Sequence, residues 1–185
     1  LSKIVMNAGH HPLGASFAST GLGALIITAV LLVLRVRLPL QRRHLIFYAI
    51  CGLTGTALPN YTSYTAVREL PVGIVAIIIA AVPMQTFLVA IALRMERPDL
   101  RRIAGLALGA IAVLLLIGPE ASLPRPQDTL WVGIALITGL SYTIENIYIS
   151  KAQPADIDPM QTMCGLFCAG TVLLIPATIT TGEVM

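Results

Sequence analysis

The segment that decides the fold is "VGIVAIIIAAVPMQTFLVAIAL" at positions 72–93, which has 22 residues and no charged side chain. A helix that crosses a hydrocarbon core of about 30 Å needs about 20 predominantly apolar residues. The rest of the chain has the same character: 56% of its 185 residues are hydrophobic and 11% are charged. Soluble domains carry about 25% charged residues, so the composition predicts an integral membrane protein.

Six apolar segments have the length of a membrane-spanning helix or come close to it. Lipid offers the backbone no hydrogen-bond partners, so each segment must satisfy its own backbone groups as a helix. We therefore predict an all-α membrane protein, a polytopic bundle of about six transmembrane helices. The predicted segments are 14–34, 45–67, 72–93, 103–118, 129–149 and 160–181.

The basic residues indicate which side of the membrane each loop occupies. If the six segments cross in turn, nine of the 12 Lys and Arg residues fall on one side and three on the other. The side richer in Lys and Arg is normally cytoplasmic. We predict cytoplasmic loops at 35–44, 94–102 and 150–159 in a multi-pass protein of the plasma (inner) membrane. The net charge is +3, and the basic residues cluster near the ends of the apolar segments. This pattern argues against nucleic acid as a partner.

The stretch "LPNYTSYTAVRELPVGIVAIIIAAVPMQTFLVAIALRMERPDLRRIAGLALGAIAVLLLIGP" begins at Leu58. It has a Tyr-containing helix end, a short turn, a helix with central Pro83, a turn with Glu96, and a glycine-rich helix. In this order the features resemble the EamA-type members of the drug/metabolite transporter superfamily. The resemblance implies ten helices, arranged as two inverted-topology repeats with a substrate cavity between them.

Mapped on that family, the chain divides into four parts. Residues 1–12 are an outside remnant of a preceding helix and turn, and 13–118 are a first EamA-like repeat with helices two to five. Residues 119–128 are an outside linker, and 129–185 begin a second repeat with helices six and seven. On this map we expect nearly all of helix one, and helices eight to ten, to lie beyond this sequence.

Polar side chains recur on one face of two predicted helices. At 100° per residue, the polar residues of 129–149 fall within about a third of the helix circumference, a stripe too costly to face lipid. Hydroxyls, amides and aromatic rings suit a small polar or amphipathic solute, whereas the simpler interpretation is interhelical hydrogen bonding. The predicted cavity residues are Thr56, Asn60, Tyr64, Gln85, Ser141, Tyr142 and Glu145.

Glu145 is the one carboxylate of that stripe and lies six residues before Lys151, about 9 Å along a helix. One interpretation is a cavity carboxylate that binds a substrate cation or exchanges a proton, which would couple transport to protons. The other is a side chain that reaches cytoplasmic water or pairs with Lys151 or a loop arginine.

Three further residues have a predicted structural role. Pro83 lies centrally in its segment and is expected to break the helix, because proline has no backbone N–H. Gly105 and Gly109 share one face and are expected to allow close helix packing. Packing within the bundle is the favoured interpretation, and a homodimer contact is the alternative.

We therefore expect a secondary transporter that exports small metabolites, amino-acid-like solutes or drugs by alternating access between two repeats. The alternatives are a non-transporting membrane assembly subunit and, less favoured, an intramembrane enzyme. The sequence contains no H-E-x-x-H or P-loop motif. It predicts no catalytic residues, no metal site and no cofactor.

Overall fold

The computed structural model describes residues 11–97, 99–117 and 128–181, and every regular element in these ranges is helical. The predicted outside remnant at 1–12 and linker at 119–128 lie almost entirely outside the described residues. The helices are α1 (Pro12–Val33), α2 (Arg42–Gly52), α3 (Leu58–Glu69), α4 (Val72–Ala80), α5 (Val82–Ala92), α6 (Leu100–Ile117), α7 (Thr129–Ala152) and α8 (Pro159–Thr181).

Four helical spans in the described ranges are long and apolar enough to cross a membrane: Pro12–Val33, Val72–Ala92, Thr129–Ala152 and Pro159–Ile179. The other two predicted segments are also helical, as α6 and as the continuous run of α2, a π-helical turn and α3. The prediction of an all-helical membrane chain is confirmed for the described residues. The count of six spans and the ten-helix repeat stay predictions.

Prolines modify two of the spans. The π-helical turn Leu53–Ala57 ends two residues before Pro59, and the boundary between α4 and α5 falls at Ala81, two residues before Pro83. Both follow from the missing proline N–H, which leaves a carbonyl one turn earlier without its usual helical partner. Pro176 does not end its helix, because α8 continues through that residue.

Helices α7 and α8 organise the bundle. α8 packs most extensively against α1 and α2, whereas α7 packs against α3 and α5. The contact of α8 with α2 is a close backbone approach, since a Cβ on Gly52 would lie 2.6 Å from the amide nitrogen of Gly170. α7 turns its polar stripe inward: Thr138 and Ser141 are buried, and Leu140 is exposed.

The start of α8 is fixed by a reciprocal cap. The Gln161 amide donates to Asp158 Oδ1 at 2.7 Å, and the Asp158 amide donates to Gln161 Oε1 at 2.8 Å. Pro159 occupies the first helical position, where its missing N–H costs no helical hydrogen bond. This capping box sets where the loop after α7 ends.

The predicted loops 35–44 and 150–159 contact each other. Asp156 pairs with Arg43, and its Oδ2 lies 3.0 Å from Nε2 of the buried His44, at hydrogen-bond distance. Gln161 Nε2 donates to the Arg37 carbonyl at 2.8 Å. Desolvation raises the pKa of Asp156, but its own backbone hydrogen bond and its interactions with Arg43 and His44 lower the pKa more. The two loops therefore lie at the same end of the bundle.

The loop 94–102 lies near this end too. Leu93, which precedes it, and Lys151, at the end of α7, line one small cavity of about 330 Å³. All three loops predicted to be cytoplasmic thus share one end of the molecule, as an alternating chain of membrane crossings requires.

Candidate functional site

The Glu145 carboxylate lies directly against Gly55. A Cβ built on Gly55 would overlap the carboxylate carbon and both of its oxygens. Glu145 comes from α7, and Gly55 lies in the π-helical turn between α2 and α3. The absence of a side chain at position 55 therefore creates the space that the carboxylate fills.

The sequence around Gly55 explains the shape of this turn. Gly55 stands four residues before Pro59, and a proline ring clashes with the carbonyl of the residue four positions earlier. The chain accommodates the proline by widening the helix, so that the Leu58 amide donates a hydrogen bond to the Leu53 carbonyl five residues back. Such π-bulges are frequently found at functional sites.

Two phenols and a thiol are linked electrostatically to the Glu145 carboxylate, either directly or through Tyr142. Tyr142 lies within electrostatic reach of both Glu145 and Tyr64, and Cys51 lies within reach of Glu145. We call Glu145, Gly55, Tyr142, Tyr64 and Cys51 the Glu145 site. It joins one helix of the predicted second repeat to the α2–α3 run of the first.

The carboxylate has no hydrogen-bond or ion-pair partner in the part of the chain that the structure describes. No described side chain or amide donates a hydrogen bond to Glu145, and it forms no ion pair there. The pairing with Lys151 or a loop arginine that the sequence left open is therefore not made among these residues. A half-buried carboxylate without a donor is costly and is available to a bound cation or a proton.

The structure places the other predicted cavity residues on three different surfaces. Thr56 faces α8, because a Cβ on Gly170 would overlap its hydroxyl. Asn60 faces α1 and donates from Nδ2 to Thr20 Oγ1 at 3.1 Å. Ser141 is buried on the inward face of α7. These residues stay predictions as substrate ligands, and only the residues of the Glu145 site are brought together.

Gln85 lies beside α7, next to residues that precede Glu145 in that helix. Its Oε1 accepts a hydrogen bond from Thr143 Oγ1 at 3.4 Å, and it lies 3.4 Å from where a Cβ on Gly139 would be. The amide thus fills the space left by a glycine and holds α5 against α7. This contact has the geometry of interhelical packing.

Pro83, Gly105 and Gly109 line a different space, an open cavity of about 890 Å³. A Cβ on either glycine would have no heavy atom within 4 Å, so neither packs against another helix in the described ranges. None of the seven predicted cavity residues lines this space. The cavity is therefore separate from the Glu145 site.

Sequence reasoning missed two features that position the site. One is Gly55, whose signal is a glycine four residues before a proline inside an apolar segment. The other is Thr62, whose hydroxyl lies 2.7 Å from that of Thr138 and joins α3 to α7 in a buried hydrogen bond. This bond holds the two helices in register two turns from Glu145.

Among the described residues, no group of three or more His, Cys, Asp and Glu side chains could hold a metal ion. The chemistry that the site offers is one carboxylate, two phenols and a thiol in a largely apolar interior. A carboxylate in such surroundings binds a cationic group more strongly than it would in water, because the effective dielectric constant is lower.

Comparison with known proteins identifies the kind of chain that carries this site. The model of the EamA-like transporter family matches residues 1–118. A probable terminal-alkyne amino-acid exporter from Streptantibioticus cattleyicolor is 28% identical over 172 residues, which are 88% of this chain and 55% of that protein. The chain thus spans about half the length of this curated relative. No solved structure matches. The family match covers more than half of the chain and agrees with the four apolar spans: this chain belongs to the EamA-like transporter family.

Proposed function

We propose that the chain is part of a plasma-membrane exporter of amino-acid-like solutes, in which Glu145 binds the ammonium group of the solute. The observation that carries the proposal is the half-buried Glu145 carboxylate, held against Gly55 without a described partner. The similarity to a protein named as an amino-acid exporter supports the substrate class. An amino acid supplies the cation that the carboxylate lacks.

The location of Glu145 suggests where in the transport cycle it acts. It lies about 9 Å of helix from Lys151, towards the end at which the three predicted cytoplasmic loops gather. We place the Glu145 site at the inner mouth of a cavity between two inverted repeats. The phenols of Tyr142 and Tyr64 can donate hydrogen bonds to the solute carboxylate there.

Alternating access then requires Glu145 to release the ammonium group into the cavity when the cavity opens to the outer side. A proton that reaches the carboxylate displaces the bound cation, because both need the same negative charge. Export of the cationic group in exchange for a proton follows from this competition. The α2–α3 run is the element expected to move, because broken helices commonly line the sites of transporters.

The proposal is tested by flux into proteoliposomes that contain the protein expressed from its full reading frame. The solutes are a panel of amino acids, nucleosides and cationic drugs. We expect amino-acid flux above that of protein-free liposomes. Glu145→Gln should lower it roughly 10- to 150-fold, because a hydrogen bond to a charged group contributes about 1.5–3 kcal/mol.

The matched control is Glu69→Gln, which removes an exposed carboxylate at the end of α3 and should leave flux unchanged. Equal flux in Glu145→Gln and the wild type, with the same pH profile, would show that Glu145 has no role in transport. No flux of any solute would favour the non-transporting assembly subunit.

A further inference from the structure

The open cavity near α6 has apolar walls and a charged mouth. Its walls come from α4, α5 and α6, with Asn146 of α7 at one side. Gly105 and Gly109 form one wall, and the absence of their side chains leaves the slot open. Ala80 and Ala90 are among the small residues of the opposite wall.

The mouth of the cavity is formed by the Glu96–Arg102 ion pair. These residues belong to the turn 94–102, which carries four arginines and two carboxylates, a net charge of +2. One of the carboxylates, Asp99, is engaged by the Arg101 amide at 2.9 Å at the start of α6. The positive charge at the mouth is therefore incompletely neutralised by the turn itself.

The cavity extends along α6 over about two thirds of the thickness of one bilayer leaflet. From Arg102 at the mouth to Gly109 is seven residues, about 10 Å along the helix. One leaflet contributes about 15 Å to a hydrocarbon core of about 30 Å. The slot thus begins at the membrane surface and follows α6 through most of that leaflet.

We propose that this cavity binds an anionic phospholipid, with one acyl chain in the slot and the phosphate at Arg102. Basic pockets between transmembrane helices on the cytoplasmic side are suited to anionic headgroups. The phosphate replaces Glu96 as the partner of Arg102, since guanidinium groups bind phosphate oxygens with two parallel hydrogen bonds.

A second copy of the chain fits this site less well. Two copies inserted in the same orientation and related by a two-fold axis would bring their 94–102 turns together. Each turn has a net charge of +2, so this contact would repel, whereas an anionic headgroup neutralises the same charge. The electrostatics favour the lipid.

The first experiment measures lipid retention by native mass spectrometry of the purified, delipidated protein in neutral detergent. The probes are palmitoyl-oleoyl phosphatidylglycerol and the phosphatidylcholine with the same chains. We expect preferential retention of phosphatidylglycerol by the wild type. Arg102→Gln should lower its affinity about fivefold, and Glu96→Gln should raise it by removing the competing carboxylate.

These opposite changes separate a binding role from a structural one, because both substitutions break the same ion pair. Arg37→Gln removes an exposed charge from another loop at the same end and should leave retention unchanged. Equal retention of the two lipids, or parallel changes in Glu96→Gln and Arg102→Gln, would overturn the proposal.

The second experiment fills the slot without changing its charge. Gly109→Leu should reduce phosphatidylglycerol retention, whereas Gly133→Leu should not, although a Cβ at either position meets no heavy atom within 4 Å. Thermal unfolding of both variants checks that they fold. A dimer that Gly109→Leu dissociates, with no dependence on phosphatidylglycerol, would assign the cavity to a second copy instead.

Discussion

Substitution of Gly55 by alanine is expected to lower transport strongly and to change the stability of the protein only slightly. The new Cβ would occupy the position of the Glu145 carboxylate, so the two groups cannot keep their present places. The backbone of the π-helical turn is held by Pro59 and by packing against α8, whereas Glu145 has three rotatable side-chain bonds. We therefore expect the carboxylate to move away and the helices to stay.

The magnitudes of the opposing effects are similar. Replacing glycine by alanine inside a helix gains up to about 1 kcal/mol. Driving the Glu145 side chain into a less favourable rotamer costs about 0.5–1.5 kcal/mol. The free energy of unfolding should therefore change by less than about 1 kcal/mol. Transport should fall by the roughly 10- to 150-fold expected for loss of a charged hydrogen bond.

The assay combines thermal unfolding in detergent with amino-acid flux in proteoliposomes. Gly133→Ala is the matched control, because it is also a glycine in a helix but its Cβ would meet no heavy atom within 4 Å. Combining Gly55→Ala with Glu145→Asp, which shortens the side chain by one methylene, should restore part of the flux. Full transport in Gly55→Ala would refute the importance of the Glu145 position.

Three further predictions concern stability. Thr62→Val removes the buried hydrogen bond to Thr138, and a double-mutant cycle on the two should give a coupling of about 0.6 kcal/mol in unfolding experiments. Gly52→Leu forces a side chain into the α8 backbone at 2.6–2.8 Å and should cost about 3 kcal/mol or more, whereas Gly133→Leu should be tolerated. The pKa of Asp156 is lowered in the folded protein. Its contribution to stability is therefore present above the unfolded-state pKa of about 3.9 and is lost as pH falls through the folded-state pKa. The melting temperatures of the wild type and Asp156→Asn should converge as pH falls below about 4.

The positions of the helices could be predicted because they depend on local composition. The apolar run at 72–93 has no charged residue, and its helices α4 and α5 follow directly from it. The inward face of α7 was also predictable, since burial of Thr138 and exposure of Leu140 follow from a 100° helical period.

The partners across helices could not be predicted in the same way. The π-helical turn at Leu53–Ala57 adds residues to a turn, so a regular helical wheel drawn through it places later side chains on the wrong face. Thr56 consequently faces α8 and Asn60 faces α1. The pairing of Glu145 with Gly55 depends on which helices pack together. The periodicity of one helix predicts its buried face but not the helix that packs against that face.

The role of Glu145 is tested most directly by comparing the affinity of the protein for an amino acid and for its N-acetylated form. The wild type should prefer the free amine by roughly 10- to 150-fold, and Glu145→Gln should bind the two forms with similar affinity. A preference for the free amine that survives in Glu145→Gln would contradict the assignment of this carboxylate to the substrate ammonium group.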